Sequence, residues 1–548
     1  MDGGGATSVV GVARARADLE YANTAAVIRS RGHEIPDAVA IDDLEWTLTY
    51  RELHDEVSRT ARAIRTAGVD RGDRVGIWAP NSSAWVVAAV GIHAAGGILV
   101  PVNTRFKGEE AAYVLRRSGA RALFVVPDFL GTSYTDALGR SDPQLYASLL
   151  KVSMPGSHSP AGVTAWEDFH GGITARAPDV EPHPVADIIF TSGTTGQPKG
   201  VVLGHAQTLR AYEAFNDGFG LRADDRYLIT NPFFHCFGYK AGWLLCMLMG
   251  ATALPHAVFD AEEVLRRIER ERVTVVAGPP TMFTSLLDFQ GPVGDIGCLR
   301  FAFTAAASIP VTLVERMQRE LDVEVGTGYG LTESTAIVSV TRPGDDAATI
   351  AHTVGSPVVD IEVRIVGSDH QAMELGESGE IAVRGYNVMS GYWDDPEATA
   401  TVVDGEGWLY TGDVGSMDAQ GNITITDRIK DIVIVGGFNV SPREVESILL
   451  SDPRIAQVTV VGIPDDRLGE VPAAFVVPRP GTMVTPGEII DTARARMANY
   501  KVPRQVEIVD GFPVNAAGKI VKSELRERAS RAAVLQPGPE SRFTVPRT

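Results

Sequence analysis

Apolar residues recur along this chain in two rhythms, and their alternation sets the first expectations. A helical spacing marks 50–67, 107–118, 261–271 and 311–321, and short β-branched or apolar runs follow at 122–126, 273–277 and 323–325. Helix and strand taken in turn predict βαβ units and mainly parallel sheets up to about residue 430. The stretch 84–102 is apolar apart from His93 and is long enough to cross a bilayer. Gly96-Gly97 divides it, however, so the pattern predicts a buried helix over 84–95 feeding a buried strand over 98–102 that contains Pro101. Asn81, Ser82 and Ser83 offer N-capping side chains just ahead of that helix. The run 241–254 is too short to span and holds Gly250.

From residue 358 the character changes. Strands over 360–366, 379–384 and 421–426, joined by Gly/Asp turns, predict a smaller β-rich subdomain at about 358–428. After Asp427-Arg428-Ile429-Lys430-Asp431 come strands over 432–435, 456–461 and 472–477 and helices over 442–450 and 485–497. The expected division is a large domain over 1–429, a small one over 430–528, and a disordered tail over 529–548 that ends Pro- and Gly-rich.

Composition narrows the classes of function. A chain of 548 residues exceeds the usual domain length of roughly 100–200 residues, so more than one folding unit is expected. The formal net charge of −19 argues against general nucleic-acid binding or adhesion to an anionic membrane. A polyanionic ligand would therefore have to be met by a few placed cations and backbone N–H groups. The three cysteines, Cys236, Cys246 and Cys298, form no C-x-x-C pair, so they read as core residues of a reducing compartment. The first twenty residues lack the apolar core of a secretory signal, and a cytoplasmic protein is expected. Monomer and homo-oligomer both stay open.

The densest chemistry lies in Thr191-Ser192-Gly193-Thr194-Thr195-Gly196-Gln197-Pro198-Lys199-Gly200. An apolar strand runs into glycines, hydroxyls and one lysine, the composition of a backbone that wraps phosphates. Counted from Gly193, Pro198 stands where a Walker A loop needs its second glycine, which disfavours a P-loop NTPase.

This loop resembles the signature of the adenylate-forming superfamily of acyl-CoA synthetases, adenylation domains and luciferases. Further matches follow in the family's order. They are Tyr329-Gly330-Leu331-Thr332-Glu333, Tyr410-Thr411-Gly412-Asp413, the 427–431 string, Gly436-Gly437-Phe438-Asn439-Val440, and Pro513-Val514-Asn515-Ala516-Ala517-Gly518-Lys519. The resemblance implies an α/β fold with a large N-terminal domain of mainly parallel αβαβα sheets, a small β-barrel-like subdomain, and a small mobile α+β C-terminal lid. It implies ATP and CoA as cosubstrates, Mg²⁺ as cofactor and a small-molecule carboxylate as acceptor.

By the same resemblance, Thr191, Ser192, Gly193, Thr194, Thr195, Gly196 and Lys199 cradle the β- and γ-phosphates, and Tyr329 stacks on adenine. Thr332 bonds the α-phosphate, Glu333 helps hold Mg²⁺, and Asp413 with Arg428 takes the ribose hydroxyls. Lys519 approaches the carboxylate and α-phosphate during adenylation. Lys430 stands at the hinge, and Gly436, Gly437 and Phe438 line the CoA tunnel in a second closed state. His235, in an aromatic segment, gates the acyl pocket or donates to the acyl carbonyl. Tyr239 and the adjacent Lys240 are possible polar contacts there, and Gly278, Pro279, Ala305 and Ala306 are expected as pocket walls.

The strings 231–242, 278–288 and 427–442 are similar to a subgroup of CoA ligases acting on the propionate side chain of a bicyclic indane fragment of degraded steroids (HIP). A medium- or long-chain fatty acyl-CoA ligase, another acyl-adenylating enzyme such as a peptide-synthetase adenylation module, a luciferase-like oxygenase and an inactive nucleotide-binding scaffold are the competing readings.

Overall fold

The computed structural model describes residues 21–171, 181–191, 197–305, 309–435, 438–465, 467–514 and 520–535. These gather into two compact units, one of 21–377, 381–411 and 417–424, the other of 378–380, 412–416 and 425–535.

Two seven-stranded sheets organise the larger unit. One runs in the order Glu324–Gly326, Phe301–Thr304, Val275–Gly278, Arg226–Ile229, Thr252–Pro255, Val39–Asp42, Thr47–Thr49, parallel except at its last pair. The other runs Gly391–Tyr392, Lys199–Gly204, Val185–Thr191, Ile98–Pro101, Arg74–Trp78, Ala120–Val125, Leu150–Ser153. It is parallel from Val185–Thr191 onward, and Lys199–Gly204 lies antiparallel to both its neighbours. Central parallel strands buried on both faces are the near-continuous apolar runs the sequence shows.

The predicted helices form as Tyr50–Thr66, Gly108–Ser118, Ala261–Glu271 and Val311–Glu320. The 84–102 stretch becomes helix Ser83–Ala94 and strand Ile98–Pro101, with every residue from Ser83 to His93 buried. Ser82 is its cap, accepting the Trp85 N–H at 3.2 Å. Among the described residues no helix is long and apolar enough to cross a membrane. Helix His205–Phe219 escapes the pattern, because His205 and Thr208 stand at buried positions and blur its apolar stripe.

Strands Ile361–Val366, Gly379–Gly385, Leu409–Met417 and Ile423–Arg428 form a four-stranded sheet in that order. The smaller unit is built on the antiparallel pair Ile455–Asp465 and Gly469–Pro478, with Gln505–Ile508 parallel to the second. Its core brings Val445, Leu449, Phe475, Ile489 and Leu525 together from strands and helices. Helix Lys522–Leu535 runs past residue 528, so the tail expected over 529–548 begins as helix.

Candidate functional site

The phosphate-loop string opens at the end of strand Val185–Thr191 and closes at the start of Lys199–Gly204, with Thr191 opposite Lys199 in the ladder. Ser192, Gly193, Thr194, Thr195 and Gly196 lie outside the described residues. The antiparallel return fixes where Lys199 emerges. Its Nζ lies 4.9 Å from the Tyr392 ring centroid, a cation over an aromatic face. Residues 197–200 line a cleft of about 120 Å³ together with Tyr392 and Trp393.

Tyr392 also donates its hydroxyl to Glu333 Oε1 at 2.9 Å. Burial, and then the Glu333 carboxylate beside it, raises the Tyr392 hydroxyl above its ordinary range, so it stays a donor at neutral pH. Lys199, Tyr392 and Glu333 thus form one connected series. Sequence reasoning missed Tyr392, since a tyrosine in a Gly-Tyr-Trp-Asp turn carries no signal of its own.

Tyr329 ends strand Gly328–Tyr329, and Thr332–Ser334 is a single 3₁₀ turn. A β-carbon on Gly330 would stand 2.1 Å from the Ala336 carbonyl carbon. The glycine is therefore a close-approach position that folds 329–333 back on 336–337, more than a turn former. Thr335 and Ala336 take left-handed backbone, φ 57° and 63°, to complete the reversal. Leu331 and Ser334 exchange hydrogen bonds, Ser334 Oγ accepting from the Leu331 N–H at 3.1 Å and donating to its carbonyl at 3.0 Å. The Glu333 carbonyl accepts the Met389 N–H at 2.8 Å. Thr332 is buried with its hydroxyl against the Cys236 thiol, which burial pushes up to about 11. Cys236 is therefore a neutral core residue.

In the smaller unit Asp413 is buried on strand Leu409–Met417, and half-exposed Arg428 places Nε 2.7 Å from its Oδ1. The two predicted sugar-binding residues are thus in direct contact. Lys430 lies in the 3₁₀ turn Ile429–Asp431, and Phe438 opens strand Phe438–Val440. Gly436, Gly437 and Lys519 lie outside the described residues.

Candidate pocket residues cluster at the carboxyl ends of adjacent parallel strands, where open α/β sheets bind ligands. Gly278 ends its strand opposite Thr304, Pro279 caps helix Pro280–Leu287, and Ala305 follows Thr304. Ala306 lies outside the described residues. His235 precedes the short turn Cys236–Gly238 and is half-buried. Asn81 pins the segment that holds it: its Nδ2 donates to the Asn231 carbonyl at 2.8 Å and its Oδ1 accepts the Phe233 N–H at 2.7 Å.

Tyr239 requires a correction. Expected as a pocket contact, it is 1% exposed, stacks on Trp243 and donates to Asp187 Oδ1 at 2.9 Å. Lys240 is fully buried on Asp187 as well, at 2.9 Å. Both are core groups, since the same short π-helix, Tyr239–Leu244, turns them inward.

The model of the AMP-binding enzyme family matches residues 28–393, and that of the AMP-binding enzyme C-terminal domain matches 444–519. The chain belongs to the AMP-binding enzyme family. It is 46% identical over 503 residues, 90% of this chain and 96% of the relative, to a 3-[(3aS,4S,7aS)-7a-methyl-1,5-dioxo-octahydro-1H-inden-4-yl]propanoyl:CoA ligase of Mycobacterium tuberculosis. The enzyme of the same name from Rhodococcus jostii is 44% identical over 92% of this chain and 98% of its own. The crystal structure of an anthranilate CoA ligase in complex with anthranoyl-AMP superposes with a TM-score of 0.86 at 28% identity, covering 95% of this chain and all of that one. The family and subgroup resemblance read from the motifs is therefore met, and so is the α/β fold it implied.

Within this AMP-binding enzyme no group of three His, Cys, Asp or Glu side chains that could hold a metal occurs among the described residues. Magnesium commonly takes one or two carboxylates and completes its shell with phosphates and water. Glu333, with one oxygen on Tyr392, fits that role. Asp187 is the other residue the motif reading passed over. Its signal was present, because an acid inside the apolar strand Val185–Thr191 needs a buried partner.

Proposed function

We propose that this AMP-binding enzyme is an AMP-forming acid–CoA ligase whose acid is a propionate carried on a methyl-dioxo-octahydroindene ring. The observation that carries the reading is 46% identity across nine-tenths of the chain to a ligase named for that acid. In the first step a carboxylate oxygen attacks the α-phosphorus of ATP, the bond to the β-phosphate breaks, and pyrophosphate leaves. In the second the CoA thiol attacks the acyl carbonyl and AMP leaves.

The chain's residues divide this work. Lys199 and the hydroxyls of 191–195 receive the β- and γ-phosphates, and Thr332 receives the α-phosphate. Two anions must meet in the first step, so cations placed where charge develops supply the stabilisation. Lys519 is the cation for that approach. Asp413 accepts from the ribose hydroxyls while Arg428 holds its carboxylate in place, and Tyr329 offers its ring to adenine. Mg²⁺, held by Glu333, would neutralise phosphate charge. His235 faces the carboxylate, and Gly278, Pro279 and Ala305 wall the ring system. Lys430 is the hinge about which the C-terminal unit moves, bringing Gly436, Gly437 and Phe438 to the pantetheine arm for the second step.

The test is a panel of short, long and indane-propionate acids in carboxylate-dependent ATP–pyrophosphate exchange, followed by thioester formation with CoA. The expected result is exchange and thioester formation with the indane propionate at the highest kcat/KM. Faster turnover of a linear fatty acid would overturn the substrate. Exchange without thioester formation would overturn the ligase reading.

A further inference from the structure

A fully buried polar cluster lies outside the residues given a part in the reaction. Asp187 and Lys240 are each 0% exposed, with Lys240 Nζ 2.9 Å from Asp187 Oδ2. Lys240 also donates to Thr208 Oγ1 at 2.9 Å, and the Tyr239 hydroxyl donates to Asp187 Oδ1 at 2.9 Å. His93 Nε2 stands 3.5 Å from the same oxygen, and His205 meets the His93 ring edge-on at 4.7 Å. Burial, reinforced by His93, holds His205 neutral.

A buried ion pair is weak evidence of stability, because well-packed apolar residues of similar volume commonly hold a core as well or better. What distinguishes this pair is what it joins. Asp187 lies in the strand that ends at Thr191 and delivers the phosphate loop. Tyr239 and Lys240 open the π-helix that follows the Cys236–Gly238 turn, and Cys236 of that turn contacts the Thr332 hydroxyl. Gly242, at φ −95° and ψ −107°, breaks the helical register just beyond. Asn81 pins residues 231 and 233 of the His235 segment, and the Asp187 contacts tie its other end, through Tyr239 and Lys240, to the phosphate strand.

We propose that Asp187, Lys240 and Tyr239 are positioning residues that lock the His235 segment to the phosphate-loop strand and so set the approach of the acid's carboxylate to the α-phosphate of ATP. The inference rests on the ligase reading. It concerns the first half-reaction, in which two separately bound anions must be held in line and a displacement of about 1 Å can cost about 10²-fold. The second half-reaction starts from a single bound acyl-adenylate and does not need that alignment.

The decisive variant is Asp187→Asn with Lys240→Met, which removes both charges and leaves no unpaired ion in the core. With the acid that serves wild type best, exchange kcat is expected to fall about 10- to 100-fold. KM for ATP and the rate of CoA attack on supplied acyl-adenylate are expected to stay at wild-type values. Tyr239→Phe, which keeps the ion pair, carries the same test if the double variant does not fold, with a smaller loss in exchange alone. Wild-type exchange in the variant, or equal loss in both half-reactions, overturns the inference while the ligase reading stands. A wild type that exchanges with no acid overturns both.

Discussion

Two buried aspartates, one in each unit, have been driven in opposite directions. Asp187 is 0% exposed and Asp427 4%, so water is withdrawn from both, and withdrawal alone raises a carboxyl. At Asp187 the Lys240 ammonium in contact, with His93 behind it, overcomes that penalty and holds the group well below the usual carboxylate range. At Asp427 the contact partner is the neutral Ser441 hydroxyl, and burial wins, lifting the carboxyl to about 6. Arg443 and Lys522 pull it down without touching it, being engaged with the Ile425 carbonyl and Glu446. Contact with a cation therefore decides the sign. The first carboxyl is a fixed charge that can organise a core, and the second titrates close to neutrality.

The largest effect should come from breaking the first site on one side only. Lys240→Met takes the ammonium away from the buried Asp187 carboxyl, and loss of one partner of a buried pair costs about 3–5 kcal/mol. Urea unfolding should show that loss, and adding Asp187→Asn to the same chain should restore most of it. A single variant as stable as wild type would mean that Tyr239 and His93 suffice to hold the Asp187 charge, and the contrast between the two aspartates would lose its cause.

A smaller effect of opposite pH dependence is expected at the second site. The folded carboxyl of Asp427 titrates near 6 and an ordinary one at 3.8. Between those values the folded chain holds a proton that the unfolded chain has released, so stability falls as pH rises through the window. Asp427→Asn is neutral at every pH. It should remove that slope and gain up to about 2–3 kcal/mol at about pH 8, with little change near about pH 4. Urea midpoints of wild type and variant across that range check it. Asp187 runs the other way, since a depressed carboxyl contributes above its unfolded value and loses that contribution only in acid.

How far these sites were legible in the sequence follows from the range of the forces involved. Helices such as Ala261–Glu271 and strands such as Val275–Gly278 declare themselves through local periodicity, the helix expected at its observed bounds and the strand within two residues of them. Motifs in family order identified the chemistry class. Side-chain direction was another matter: Tyr239 and Lys240 stand next to His235 in sequence, yet the π-helix turns them into the core. Tyr392, bridging Lys199 and Glu333, comes from a strand far along the chain, and no local pattern points to such a partner. Asp187 could have been flagged as an acid in an apolar strand, but the sequence does not show that its partner is Lys240.

The smallest change discriminates best between hydroxyl and cation as the source of the contrast. Ser441 does two things: its Oγ donates to Asp427 and accepts the Glu444 N–H at 3.1 Å, capping helix Pro442–Leu450. Ser441→Ala loses the cap, worth about 1 kcal/mol, at every pH. It also removes a contact that favours the ionised carboxyl, so Asp427 should titrate above 6 and the falling limb of stability should extend further toward alkaline pH. Urea midpoints at about pH 5 and about pH 8 separate the two, because loss of the cap lowers both equally and the carboxyl effect lowers only the second. A uniform loss would show that Ser441 serves only its helix and that the distant cations Arg443 and Lys522, not the hydroxyl in contact, set where Asp427 titrates.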